Sequence, residues 1–234
     1  MGAGVAVEDW QHSLKLNPAL ATNPHRLAGA IVYAQPYGLK GLNCAGVGVK
    51  FSLGIFHSVS GLEVLTLNGN NEVDIAAAVA LPVAEGWSGG FGIHGLVQHF
   101  KDITPDILPS FDLGFLGTID RFSLGIALQR INSPRFRSGD ELFPEFRAGL
   151  TWKPAESLLL AIDLEKEREV ERILAGTEFQ LFEEVVIQGG LETFPFCLRA
   201  GLVLQFNWLG INYGYQYHPQ MGDTHTVGIN CQWK

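Results

Sequence analysis

Charge is scarce in this chain. Charged residues make up 17% of its 234 positions, where a soluble domain carries about a quarter. What charge there is leans acidic, with 16 Lys and Arg against 24 Asp and Glu and a net charge of −8. That balance excludes a nucleic-acid-binding surface, which needs a basic face, and a polybasic lipid anchor. Long apolar runs are missing too: none reaches the roughly 18 to 20 residues of a membrane-spanning helix. The three cysteines, Cys44, Cys197 and Cys231, are too few and too scattered for a disulfide scaffold or a CxxC-type zinc site. They read as buried free thiols.

Catalytic motifs are equally absent, with no GxSxG, HExxH or glycine-rich phosphate loop. The seven histidines lie at 12, 25, 57, 94, 99, 218 and 225 without ligand spacing. His94 and His99 fall on opposite faces of a strand, and His218 and His225 flank one turn with no third ligand. No enzyme, cofactor or metal is expected. The opening Met1-Gly2-Ala3-Gly4-Val5 has neither the basic nor the apolar region of a leader, so an exported chain is read with its signal peptide removed.

Glycine and apolar residues are abundant by contrast. The 28 glycines amount to about 12% of the chain, against about 7% in ordinary proteins. Hydrophobic residues reach 47% and the mean hydropathy is +0.14. Such a composition excludes a disordered chain. A membrane-like composition without a membrane helix leaves a transmembrane β-barrel or an unusually apolar soluble β-fold.

From residue 27 onward the hydrophobic pattern has a period of two, the mark of strands with one apolar face. Ala45, Val47, Val49, Phe51, Leu53 and Ile55 alternate with Gly46, Gly48, Lys50, Ser52 and Gly54. Leu158, Leu160, Ile162 and Leu164 form another stripe, as do Phe194 through Phe206 and Val227, Ile229, Cys231 and Trp233. The opposite face is mostly Gly, Ser, Thr, Asn and Gln. Water-facing surfaces normally carry many Lys and Glu, so this face suits a crowded barrel interior.

Turn signals separate the runs at Pro36-Tyr37-Gly38, Asn68 to Asn71, Glu85-Gly86, Asn132-Ser133-Pro134, Ser138-Gly139-Asp140, Lys153-Pro154 and His218 to Gly222. The charge cluster Asp163 to Arg172 reads as a solvated hairpin turn. Spacing predicts strands near 27–35, 43–56, 59–68, 73–83, 89–100, 110–118, 119–130, 143–153, 157–166, 172–182, 184–192, 194–206, 208–217 and 224–233. The expected fold is all-β: a closed antiparallel transmembrane barrel of about 14 strands, with 12 as the alternative and short loops. Residues 1–26 break the alternation and are placed as a plug-like segment in or across the lumen. Residues 27–234 form the barrel.

Phase alone puts Glu145, Arg147, Asp163, Glu178 and Arg199 on the inner face, where they are expected to form a charge network that helps the segment occlude the bore. Tyr213, Tyr215, Tyr217 and Trp233 read as an aromatic girdle.

Two stretches resemble a known family. Gly2-Ala3-Gly4-Val5-Ala6-Val7-Glu8-Asp9 followed by Asn17-Pro18-Ala19 is similar to the amino-terminal pattern of PorV/PorQ-like, FadL-related outer-membrane barrels. Gly176-Thr177-Glu178-Phe179, Arg199-Ala200-Gly201, Tyr213 to Tyr217 and Gly222-Asp223-Thr224-His225 resemble its closing strands in order. The resemblance implies a fourteen-stranded barrel in the bacterial outer membrane with its amino-terminal segment inside. It implies a non-enzymatic role, either as a structural or scaffold component of an envelope or secretion complex, or as a FadL-like uptake channel for small hydrophobic solutes. The scaffold reading is placed first. A soluble β-fold ligand-binding protein is the remaining alternative, though a sandwich exposes more charge on its outer faces. Expected partners are outer-membrane lipid, other envelope or secretion-complex proteins, or a hydrophobic small molecule.

Overall fold

The computed structural model describes residues 3–7, 9–23, 25–100, 104–137 and 139–233. Gly2 and Glu8 of the amino-terminal pattern, Ser138 of one turn signal, and Lys234 lie outside the described residues.

The strands are β1 (Leu27–Gln35), β2 (Leu42–Leu53), β3 (Phe56–Leu67), β4 (Asn70–Ala84), β5 (Trp87–His99), β6 (Asp106–Ile119) and β7 (Phe122–Gln129). They continue as β8 (Glu145–Ala155), β9 (Leu158–Glu167), β10 (Val170–Phe182), β11 (Val185–Thr193), β12 (Phe196–Phe206), β13 (Leu209–His218) and β14 (Gly222–Trp233). Each pairs antiparallel with its sequence neighbours. β1 pairs with β14, from Leu27↔Trp233 to Gln35↔His225, and closes the barrel. Closure removes every free edge. The strand number is fourteen, not twelve.

Turn chemistry explains the tight hairpins. At the end where β1 begins and β14 finishes, all six connections have two residues: 54–55, 85–86, 120–121, 156–157, 183–184 and 207–208. Gly54, Gly86, Asp120 and Asn207 adopt φ of 60°, 74°, 52° and 54° there, the left-handed region that two-residue hairpins favour. The opposite end carries the longer connections, including 36–41 and 130–144.

Burial follows the two-residue period but in the inverse sense of a soluble protein. On β7, Phe122, Leu124, Ile126 and Leu128 are exposed, while Ser123, Gly125, Ala127 and Gln129 are buried. Large apolar side chains point outward around the whole barrel. Soluble monomers rarely expose a patch beyond a few hundred Å². A belt of this extent fits hydrocarbon lipid. Trp87, Trp152, Trp208 and Trp233 stand toward the end with the two-residue turns, with Trp208 stacked on Trp233 at 6.1 Å and Phe122 on Trp152 at 6.1 Å.

Three sequence expectations need correction. Lys153-Pro154 is not a turn, because β8 runs on to Ala155 with a register shift after Trp152. A bulge accommodates a proline that has no N–H to give. The Asp163 to Arg172 cluster is not a solvated turn either. Only Arg168 and Glu169 lie between β9 and β10, and Asp163 and Glu165 are buried on the inner wall. The predicted 43–56 strand is cut by the turn at Gly54-Ile55, so Phe56 opens β3.

Residues 3–7 and 9–23 lie inside the barrel, with two 3-10 turns at Trp10–His12 and Pro18–Thr22. The second turn packs on β3, β4, β5 and β6. The apolar core forms between segment and wall. Trp10 and Ala21 pack with Ala28, Val59 and Ala80, while Ala6, Ala19 and Leu20 pack with Leu116.

Candidate functional site in the barrel lumen

The segment is held in place by polar contacts at its irregular stretches, where backbone groups have no ladder to join. Asp163 accepts from the Gly4 and Val5 N–H groups at 2.6 and 2.9 Å. Asn17 Oδ1 accepts from Ala19 N at 3.0 Å and caps the second turn. Asn17 Nδ2 donates to Val5 O at 2.9 Å and to Phe115 O at 3.0 Å. Asp9 caps the first turn through Gln11 N. Lys50 is fully buried, and its Nζ donates to Ala21 O at 2.8 Å and Ser52 Oγ at 2.7 Å. Gln129 donates to Lys15 O at 2.8 Å.

Glycines make room for this docking. A Cβ on Gly90 would lie 2.3 Å from Ala19 N, and one on Gly125 would lie 2.2 Å from Val5 O. Gly90 pairs with Gly114 and Gly125 with Gly149 across adjacent strands, so the wall from β5 to β8 is recessed where the segment lies.

The inner wall carries charge toward the end with the longer loops. Arg130 contacts Glu145 at 2.5 Å and Glu167 at 3.1 Å. Arg147 pairs with Glu145 and, at 3.0 Å, with Glu165, while Arg172 also pairs with Glu165. The alternation of sign lets the burial cost be offset by neighbouring partners. Arg199 forms a separate pair with Glu192 at 2.5 Å and accepts no part in the six-membered chain. Glu178 accepts from Gln188 at 2.8 Å. Thus, of the five residues singled out by phase, only Glu145 and Arg147 meet directly. Asp163 holds backbone, and Glu178 and Arg199 stand apart.

Sequence reasoning missed Arg130, Glu165, Glu167, Arg172 and Glu192. Glu165 and Glu167 share the phase of Asp163, a signal that the charge density of their run masks. It also missed His94, which bridges Asp74 at 2.9 Å and Asp112 at 3.1 Å. Among the described residues no group of His, Cys, Asp and Glu could hold a metal. His218 faces inward and His225 outward, so they do not meet. The three cysteines are free: Cys197 is buried, while Cys44 and Cys231 are half-buried. Tyr213 and Tyr215 lie outside and bond to His225 at 2.8 Å and Asp223 at 2.9 Å. Tyr217 and Trp233 stand toward opposite ends of the outer wall.

The segment divides the remaining space. On one side a cavity of about 270 Å³ lies between Trp10 and Leu14 and the wall of Ala30, Val32, Val59 and Ala76, with Gly46, Gly48 and Gly61 behind. Its lining is mainly apolar. On the other side a cavity of about 390 Å³ is lined by side chains such as Gln188, Gln205, Asn212 and Asn230. A vestibule of about 420 Å³ sits toward the longer loops, walled by Leu16, Leu96, Leu142, His94, Arg130 and Arg147. It shares Leu14, Lys15, Glu63 and Asp74 with the apolar cavity, and Lys15 and Glu63 form an ion pair at that junction.

The fold has counterparts among solved structures. The Ralstonia pickettii toluene transporter TbuX superposes with a TM-score of 0.77 at 9% identity, over 100% of this chain and 96% of that one. This chain shares the fold of FadL-type barrels. The CymD monoaromatic hydrocarbon channel matches at 0.70 and 10% identity, over 100% and 95% of the two chains. A Pseudomonas aeruginosa FadL homologue matches at 0.68 and 10%, over 100% and 96%. No family model and no curated protein matches the sequence. These likenesses are of fold alone and lend no support to the narrower PorV/PorQ resemblance.

Proposed function

We propose that this protein is a channel of the bacterial outer membrane for small hydrophobic solutes. The observation that carries the reading is the apolar cavity between Trp10, Leu14 and the β1–β4 wall, about 270 Å³ in volume. A dry apolar cavity of about 150 Å³ is enough to bind benzene, so a one-ring hydrocarbon fits with room to spare. The neighbours in fold include a toluene transporter and a monoaromatic hydrocarbon channel, which favours this role over the secretion-scaffold reading.

Orientation follows from the turns. Outer-membrane barrels have short periplasmic turns and longer extracellular loops. The end with six two-residue turns is then periplasmic, and the vestibule near 130–144 faces outward. Residues 1–26 act as the plug of the 27–234 barrel. The Arg–Glu chain from Arg130 to Arg172 stiffens the vestibule, and Trp233 with Tyr217 anchors opposite lipid interfaces.

The test is toluene uptake into proteoliposomes with the full-length protein. Ala30→Phe places a ring in the cavity and is expected to lower the uptake rate roughly tenfold, the effect of about 1.4 kcal/mol lost from solute binding. Uptake unchanged by this variant, with the barrel still folded, sinks the reading.

A further inference from the structure

The lumen has a second side that the hydrophobic-solute reading leaves unused. The first 3-10 turn is a partition: Trp10 faces the apolar cavity, while Asp9 and His12 line the polar one. Beyond the partition, the 390 Å³ cavity meets another of about 280 Å³ that reaches the two-residue turn at Glu156 and Ser157. The residues common to both are Asp9, His12, Glu178, Val186 and Gln188. They form a neck.

Elsewhere in the lumen most carboxylates face a basic side chain, Asp74 and Asp112 through His94, although among the described residues Glu72 on the loop side accepts only from Gln98. Glu63, Glu145, Glu165, Glu167 and Glu192 each contact Lys or Arg. Asp163 accepts two backbone N–H groups. Among the described residues, neither Asp9 nor Glu178 has a Lys or Arg partner. Their contacts are the N–H of Gln11 and the side-chain amide of Gln188. Among the described residues no Lys or Arg lines the 390 Å³ cavity, whose wall mixes amide and hydroxyl groups with aliphatic residues such as Val186 and Val203. Lys153 lines the smaller cavity, together with Glu156 near the turn.

We infer that this side is an aqueous pathway selective for small monovalent cations, with Asp9 and Glu178 as its selectivity residues. Amide and hydroxyl groups replace part of an ion's hydration, and unpaired carboxylates at a constriction favour cations and repel anions. A low-dielectric wall strengthens the effect by focusing the field into the neck. The pathway adjoins the apolar cavity at Gln11 and Val32, which line both, and the two solute classes pass on opposite sides of one turn.

Planar-bilayer recording of the purified full-length protein under a KCl gradient tests this. The wild type is expected to conduct steadily with a reversal potential of cation-selective sign. Glu178→Gln, and Asp9→Asn with Glu178→Gln, should keep conductance while the K⁺-over-Cl⁻ permeability ratio falls at least roughly two-fold, as expected when a charge ring is neutralised. Glu85→Gln, in the β4–β5 turn across the barrel, should leave the ratio unchanged. A heat-dependent gel shift establishes that each variant is folded. A silent wild type, an anion-selective or unselective wild type, or an unchanged ratio in the folded double variant each overturns the inference.

Discussion

Asn17 and Gly114 fit as side chain and recess: a Cβ added to Gly114 would stand 2.0 Å from Asn17 Oδ1. The next residue, Phe115, accepts from Asn17 Nδ2 through its carbonyl oxygen at 3.0 Å. One missing side chain on β6 therefore decides where the amino-terminal segment lies. Gly114→Val is expected to push Asn17 off this wall at a cost of about 1 to 3 kcal/mol, typical of overpacking. Limited proteolysis of the folded barrel should then cut between residues 10 and 20, where the wild type resists. Equal protection in both proteins counts against the docking described above.

Asp163 holds the segment farther upstream. Asp163→Ala leaves the Gly4 and Val5 N–H groups without their acceptor, a loss of about 1 to 3 kcal/mol for buried donors left unpaired. Both bonds go to one oxygen, Oδ2, so Asp163→Asn keeps a carbonyl acceptor for the pair, without the charge, and should lose less. Thermal unfolding in detergent is expected to rank wild type above the Asn variant and the Asn variant above Ala. A reversed order excludes the hydrogen bonds as the anchor.

The Lys15–Glu63 pair bears on access to the apolar cavity and little on stability. Lys15 is 60% exposed and Glu63 30%, and exposed pairs contribute about 0 to 1 kcal/mol. Lys15→Ala should leave the melting temperature essentially unaltered while toluene uptake becomes faster and loses its dependence on salt. Slower uptake in this variant means the pair guides solute instead of barring it.

Leu160 and Leu202 face outward among the exposed apolar belt. Arginine at either position puts a charge against hydrocarbon, with an expected cost of about 2 to 4 kcal/mol near the midplane. Folding into lipid vesicles, followed by the gel shift, measures it. If both variants insert as well as wild type, this face does not contact lipid.

Much of the barrel was legible in local pattern. In a strand each side chain points opposite to its neighbour, so stripes such as Leu158, Leu160, Ile162 and Leu164 declare their face without knowledge of any partner strand. Positive-φ residues such as Gly86 mark a two-residue hairpin for a similarly local reason. Pro154 misled because a turn and a bulge make the same demand, a residue without a ladder N–H. The run from Asp163 to Arg172 misled because its density of charge outweighed its phase, which places Asp163, Glu165 and Glu167 on one wall.

The sequence by itself therefore determined the strand class, the strand count to within two, and which residues face lipid or lumen, because each rests on spacing within a few residues. Only the tertiary structure decided who meets whom across the lumen. Arg130 reaches Glu167 from another hairpin, Asp163 captures Gly4 from the far end of the chain, and Gly90 and Gly114 line up into a recess through strand register. Those contacts depend on strand register and on where the amino-terminal segment lies inside the closed sheet, which sets Gly4 against Asp163, 159 positions away. The division of the lumen into apolar and polar sides follows from where that closure lets Trp10 lie.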